Sequence, residues 1–254
     1  MKHYKKLLNM GCFTRKDVCI LLGNESAAHS LLYDYTKSGL IERVRRDLYV
    51  AISLETKQPI RNRYAIASKI TESSYITHHS AFEYYGCANQ VYYEVYISGD
   101  KYFPEFEYDG VMYKYSKPHI SDGITENRDG VRVTDIERTI LDSINDFERI
   151  GGLEELLKCI EQIPSVKEDK LLSYLNIYNS KGLYQKTGYI LEHFRNLLNL
   201  SNNFFKECLH NIPNSKRYLY KSEFKKDFVF NQKWNLYVPN DLLSLIDKGV
   251  NYDE

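Results

Sequence analysis

The chain has 254 residues, yet only one tryptophan, three methionines and six prolines, and no net charge because 34 Lys+Arg balance 34 Asp+Glu. It carries no GxxxxGKS/T loop and no GxGxxG, HExxH, GxSxG or EF-hand pattern. No phosphate cradle, zinc-hydrolase helix, nucleophile elbow or calcium loop is therefore announced. Stretches free of charge reach only about ten residues, as in Tyr84–Tyr93, half of what a membrane helix needs. Behind Lys2, Lys5 and Lys6 the apolar run Leu7–Phe13 is short and broken by Asn9 and Gly11, which argues against a secretory signal. The cysteines (Cys12, Cys19, Cys87, Cys159, Cys208) are odd in number and never at CxxC spacing, so they read as reduced, mostly buried thiols. A composition of 43% hydrophobic and 27% charged residues excludes disordered and collagen-like chains. The expectation is a cytoplasmic globular protein of one or two domains, with no membrane contact, metal or cofactor.

The zero net charge conceals a division. Residues 1–63 hold 12 Lys+Arg against 6 Asp+Glu, whereas the other 191 hold 22 against 28. A basic head on an acidic body points to nucleic acid at the N-terminus and another task beyond it.

In that head, Thr14 and Asp17 have capping-box spacing, and Phe13 and Val18 stand where a hydrophobic staple forms. The helix they open presents Val18, Leu21 and Leu22 to a core and stops at Gly23. Asn24 or Ser26 can cap a second helix, whose Ala28, Leu31, Leu32 and Tyr35 share one side. Ser26, His29, Ser30, Tyr33 and Lys37 fall mainly elsewhere, and Gly39 suits a left-handed cap. Strands Ile41–Val44 and Leu48–Ile52 follow around Arg45-Arg46-Asp47.

Helix, tight turn, helix and basic hairpin is the order of a winged helix-turn-helix. Its second helix would enter the major groove, with Arg43, Arg45 and Arg46 on phosphates or the minor groove. Thr14, Arg15 and Lys16 would offer a phosphate the free N–H groups of a helix start.

Residues 53–62 read as a linker between a domain at 1–55 and a mixed α/β domain at 56–254, giving an α+β protein. The body opens with a helical pattern at Arg63–Ile70 and a short helix Thr77–Gly86 closed by glycine. Val91–Ser98 alternates as a strand, Phe103–Tyr108 and Val111–Tyr115 form a hairpin around Asp109-Gly110, and Val131–Val133 adds another strand.

Thr134-Asp135-Ile136-Glu137 has the spacing of a second capping box. Helical patterns then dominate at Leu153–Ile163, Lys167–Tyr178, Tyr184–Leu198 and Asn202–Leu209. Strands return at Arg217–Tyr220 and Phe228–Val238, with a short helix after Pro239.

Two looser constellations could carry chemistry. His79 and Glu83 stand four apart, but a pair of ligands makes no metal site, so capping and surface histidines are expected. Asp135, Arg138 and Asp142 share a helix face and can pair with one another without catalysis.

The order of these segments resembles the AbiEi-type antitoxins of bacterial abortive-infection, type IV toxin–antitoxin systems. It is carried by FTRKDVCILLG with LLYDYTKSGLIERVRRDLYV, then YITHHSAFEYYG, VRVTDIERTILDSI, YQKTGYILE and KWNLYVPNDLL. The wing departs from the family's usual Arg-Gly-x-Tyr and reads Arg46-Asp47-Leu48-Tyr49, with aspartate at a turn that favours left-handed backbone.

The resemblance implies a protein without catalytic residues that binds inverted repeats in its own promoter and represses its operon. It also implies a C-terminal domain, with Glu137, Arg138 and Asp142 in its characteristic helix, that counteracts a nucleotidyltransferase-like toxin, by default through indirect antagonism. An alternative remains open: a winged-helix regulator whose body senses a ligand or handles a phosphate or nucleotide.

Overall fold

The computed structural model of the chain describes residues 2–220, 228–240, 242 and 244. Ten α-helices and twelve strands in three sheets are found among them, which makes the protein α+β. Its contacts gather into two units. The first comprises Met1–Ile76, Tyr93–Lys117 and Thr125–Val133, and the second Thr77–Tyr92, Pro118–Ile124 and Thr134–Glu254.

The first unit begins with α1 (Tyr4–Met10), β1 (Cys12–Thr14), α2 (Arg15–Leu22), α3 (Glu25–Lys37), β2 (Ile41–Arg45) and β3 (Leu48–Ala51). The strands pair antiparallel in the order β1-β3-β2, with a bulge between Arg43 and Arg45. Both signals for the start of α2 are realised. Asp17 N–H donates to Thr14 Oγ1 at 3.2 Å and Thr14 N–H to Asp17 Oδ2 at 2.7 Å, while Phe13 and Val18 are fully buried in one core.

Gly23 closes α2 in left-handed backbone (φ 66), and Asn24, not Ser26, caps α3 through Ala27 N–H. Leu7, Ala28, Leu32, Ile41 and Ala51 complete that core.

The expected linker is a bonded loop. Ser53 N–H donates to Gln58 O and Ile60 N–H to Ala51 O, and Ile60 packs on the N-terminal core. Beyond it, α4 (Arg63–Ala67) precedes a six-stranded sheet. Its strands are β4 (Tyr75–Ile76), β5 (Glu94–Ser98), β6 (Phe106–Tyr108), β7 (Val111–Tyr115), β8 (Ile124–Glu126) and β9 (Arg132–Thr134), in the order β6-β7-β5-β4-β9-β8.

Asp109 and Gly110 both take positive φ in the tight hairpin that their sequence predicts. The strand expected from Val91 begins only at Glu94, leaving Val91 71% and Tyr93 76% exposed. The chain leaves the second unit at Tyr92, whose ring stacks on His79 instead of extending a strand.

The second unit is mainly helical: α5 (His78–Tyr84), α6 (Ile136–Asn145), a 3-10 turn (Phe147–Ile150), α7 (Leu153–Glu161), α8 (Glu168–Tyr178), α9 (Lys181–His193) and α10 (Asn202–His210). A small sheet of β10 (Arg217–Tyr218), β11 (Phe228–Asn231) and β12 (Leu236–Pro239) has the order β10-β12-β11. The single strand expected over Phe228–Val238 is therefore two strands around a turn. The helix expected after Pro239 falls almost wholly outside the described residues.

Asp135, not Thr134, caps α6, accepting from Arg138 N–H at 2.9 Å, while Glu137 accepts from Lys167 N–H at 2.7 Å. The expected box is absent because both of its side chains have other partners, Thr134 Oγ1 bonding Thr139 Oγ1 at 2.8 Å.

Candidate nucleic-acid interface

Along α3 the buried residues are Ala28 and Leu32, with Leu31 and Tyr35 half-buried, as the spacing predicts. Ser26, His29, Ser30, Tyr33 and Lys37 are all exposed, Tyr33 by 62%. A groove of about 350 Å³ runs between this helix, the start of α2 and the β2–β3 hairpin, lined by Arg15, His29, Tyr33, Arg43, Arg46 and Tyr49 among others. Five residues singled out from sequence therefore meet on one surface. Three of them are arginines.

The turn of the hairpin is left-handed at Asp47 (φ 62). Its carboxylate lies 3.4 Å from Arg15 Nε and 3.7 Å from Arg46 Nε, so the acid at the hairpin tip sits between two cations.

Two expectations need correcting. Two N–H groups at the start of α2 are already taken: Arg15 N–H donates to Asp47 O and Asp17 N–H to Thr14 Oγ1. Thr14 is spent on the cap, and Arg15 and Lys16 present side chains instead.

Nor does Arg45 stand beside Arg43 and Arg46. Its guanidinium lies 5.0 Å from the Phe106 ring centre and 5.5 Å from that of Phe103, where burial lowers its pKa. Arg46 is 89% exposed, and Arg43 Nε donates to Arg45 O at 3.2 Å. Nearby, Tyr108 OH donates to Glu42 Oε2 at 2.7 Å, which fixes the hairpin to the six-stranded sheet.

A second groove, of about 840 Å³, shares Arg15, Arg46 and Asp47 with the first and adds Lys16, Lys69, Lys101 and Arg132. Lys16 pairs with Glu72 at 3.0 Å, and Arg132 is committed to the carbonyls of Ser68, Thr71 and Glu72. Lys69 and Lys101 are exposed cations that no local pattern marks, since each stands apart from any basic run.

Residues 6–52 match the family model described as "Transcriptional regulator, AbiEi antitoxin". The matched segment runs from within α1 past the end of β3 and contains every residue lining the first groove. No curated protein matches the sequence. Among solved structures, the crystal structure of the RV2827C protein from Mycobacterium tuberculosis has a TM-score of 0.64 at 12% identity, covering 95% of this chain and 90% of that one. At such identity the likeness is one of fold alone.

Outside the AbiEi-matching segment, Glu137, Arg138 and Asp142 lie in α6, inside the second unit. Arg138, 1% exposed, donates through Nε to Asp142 Oδ2 at 2.8 Å and through Nη1 to Asp122 O at 2.7 Å. Asp142 also accepts from Thr77 Oγ1 at 3.1 Å and from Tyr178 OH. Asp135 accepts from Tyr174 OH and Lys170 Nζ, each at 2.7 Å. Arg138 and Asp142 pair as their spacing suggests, in a buried network and not on a surface, whereas the Asp135 carboxylate takes Lys170 as its ion partner.

The histidines expected at a surface are buried too. His78 has left-handed backbone (φ 53), and burial pushes its pKa down to about 4 against the pull of Asp142 and Asp146. His79 Nε2 lies 3.2 Å from Glu155 Oε1. Burial alone would raise the Glu155 carboxyl, but bonds from His79 and Gln90 N–H more than offset it and hold the pKa low.

Among the described residues no cluster of three metal-ligating side chains occurs, and no helix is long and apolar enough to cross a membrane. Cys12, Cys87, Cys159 and Cys208 are buried free thiols, and Cys19 is a half-buried one.

Proposed function

We propose that the chain is a cytoplasmic DNA-binding repressor of its own operon and the antitoxin of a nucleotidyltransferase-like toxin. The reading is regulatory and not catalytic. In it residues 1–55 form a winged helix-turn-helix, α2 and α3 being the helix pair and β2–β3 the wing, and residues 56–254 carry the antitoxin activity.

The observation that carries the DNA reading is the groove in which the polar face of α3 meets Arg15, Arg43 and Arg46. Ser26, His29, Ser30, Tyr33 and Lys37 would face base edges in the major groove, while the arginines take phosphates and fix the register. Lys69 and Lys101, on the adjoining groove, would meet flanking phosphates of the same duplex. Inverted repeats in the promoter would each be met by one copy of this surface.

Glu137, Arg138 and Asp142 would support antitoxin activity by holding the second unit in shape, because they are buried and bonded to one another or to their neighbours. That suits indirect antagonism of the toxin, and no observation favours a phosphate-handling site on the same acids.

Fluorescence anisotropy with promoter and shuffled duplexes across a salt series tests the DNA reading. Tight, promoter-preferring binding is expected. Replacing Arg43 and Arg46 together by Ala should weaken it and lower the salt slope by about 0.9 per lost phosphate contact. A double variant that binds as wild type does would overturn the assignment of the wing.

A further inference from the structure

Arg43 is flanked by two residues that the six-stranded sheet holds. On one side Glu42 Oε2 accepts from Tyr108 OH at 2.7 Å. On the other, Arg45 lies over the rings of Phe103 and Phe106. Phe106 is itself backed by the buried Tyr113, whose ring stacks on it at 4.9 Å and 6°. The rings hold Arg45 without an anion: among the described residues its buried Nη1 has no hydrogen-bond partner. All of these residues belong to the first unit.

The bulge explains how neighbours in one strand serve two surfaces. Arg43 pairs with Tyr49 and Arg45 with Leu48, so Val44 is the extra residue of β2, and it is buried. Regular alternation would put Arg43 and Arg45 on the same face. The inserted residue breaks that alternation. Arg43 therefore lines the groove beside α3, whereas Arg45 reaches the phenylalanines.

A backbone atom ties the two arginines together, because Arg43 Nε donates to Arg45 O at 3.2 Å. The anchored arginine thus supplies the acceptor that aims the groove arginine. A long side chain loses rotamer freedom when it meets a ligand, and one already aimed loses less.

We propose that Tyr108 and Phe106 are positioning residues for duplex binding. They fix Glu42 and Arg45, and through them hold Arg43 in the pose in which it meets a phosphate. The proposal rests on the DNA reading of the groove. It goes further by giving the six-stranded sheet a share in affinity without a DNA contact at Tyr108 or Phe106.

The test is a double-mutant cycle on the full chain, read by anisotropy with the promoter duplex. Tyr108→Phe and Phe106→Leu, which keep apolar bulk in place, should each weaken binding about three- to tenfold. The salt slope should stay the same, because no phosphate contact is lost. Phe106→Tyr keeps the ring face and should bind as the wild type does. In the Arg43→Ala background neither Tyr108→Phe nor Phe106→Leu should weaken binding further.

A residue that merely stabilises the fold would weaken both backgrounds alike, and that result overturns the proposal. So does wild-type affinity in Tyr108→Phe and Phe106→Leu. If the paired loss of Arg43 and Arg46 still weakens binding in that case, the DNA reading stands and only the positioning role falls. A wild type that binds no duplex removes both.

Discussion

Arg43, Arg45 and Arg46 lie within four consecutive positions, but phenylalanine rings claim only Arg45. Their charge is equal in sequence, and their surroundings differ in ways that mutation can read. Arg45→Ala should cost about 1 kcal/mol of stability, the scale of a partly desolvated cation–π contact, and leave the salt slope of duplex binding unchanged. Replacing Arg43 and Arg46 should do the reverse; urea titration and anisotropy on the same preparations separate the two.

His78 offers a test of another kind. Its pKa is near 6.5 when unfolded and about 4 in the native state, so between those values the unfolded chain holds a proton that the folded one lacks. The stability it supports is intact above pH 6.5 and falls as the pH drops toward 4, by roughly 3 kcal/mol in all. Asparagine tolerates the left-handed backbone without titrating. Urea midpoints of His78→Asn should therefore depend less on pH between 7 and 5 than those of the wild type.

Elements explain which parts of the sequence could be read. Local signals succeeded where the partner lies within four residues: the Thr14–Asp17 box, Gly39 with φ 69 after α3, and the Asp109-Gly110 turn. They failed where a distant residue decides. Phe103 and Phe106 turn Arg45 inward from about sixty positions away, and Lys167 takes the carboxylate that Thr134-Asp135-Ile136-Glu137 reserves for a box. Periodicity could not show that Tyr92 belongs against His79, since alternation around Val91–Ser98 is equally good on either side of Tyr93.

The groove residues on α3 were legible because one helix face is apolar and the other is not. Lys69 and Lys101 were illegible because nothing local marks them.

The segments YQKTGYILE and KWNLYVP, quoted separately from sequence, form one packing site. Gln185 Nε2 donates to Trp234 O at 2.8 Å, Trp234 Nε1 donates to Glu192 Oε2 at 2.8 Å, and the indole lies flush against Gly188. A Cβ on Gly188 would overlap the Cζ3–Cη2 edge of the Trp234 ring. Gly188→Ala, favourable in an isolated helix, should instead lower stability by about 1–3 kcal/mol, read as a drop in Tm by circular dichroism.

At the scale of the molecule, the first fifty residues are bonded to later parts of the first unit. Tyr108 holds Glu42, and Phe103 and Phe106 hold Arg45, all within the first unit. Cutting at residue 62 removes one side of these contacts. A fragment of residues 63–254 should melt below the full chain and bind more of a hydrophobic dye such as ANS. A fragment with the same Tm and dye binding as the full chain would show that the contacts contribute nothing to its stability.

The two units are interleaved along the chain, which passes from one to the other at 76/77, 92/93, 117/118, 124/125 and 133/134. On the ribosome this becomes a matter of timing. The elements of the groove between α3 and the β2–β3 hairpin emerge early, but the unit that steadies them cannot close until Val133 has left the exit tunnel. At about 5–20 residues per second that is a wait of several seconds, during which nascent β2 and β3 lack the partners of Glu42 and Arg45.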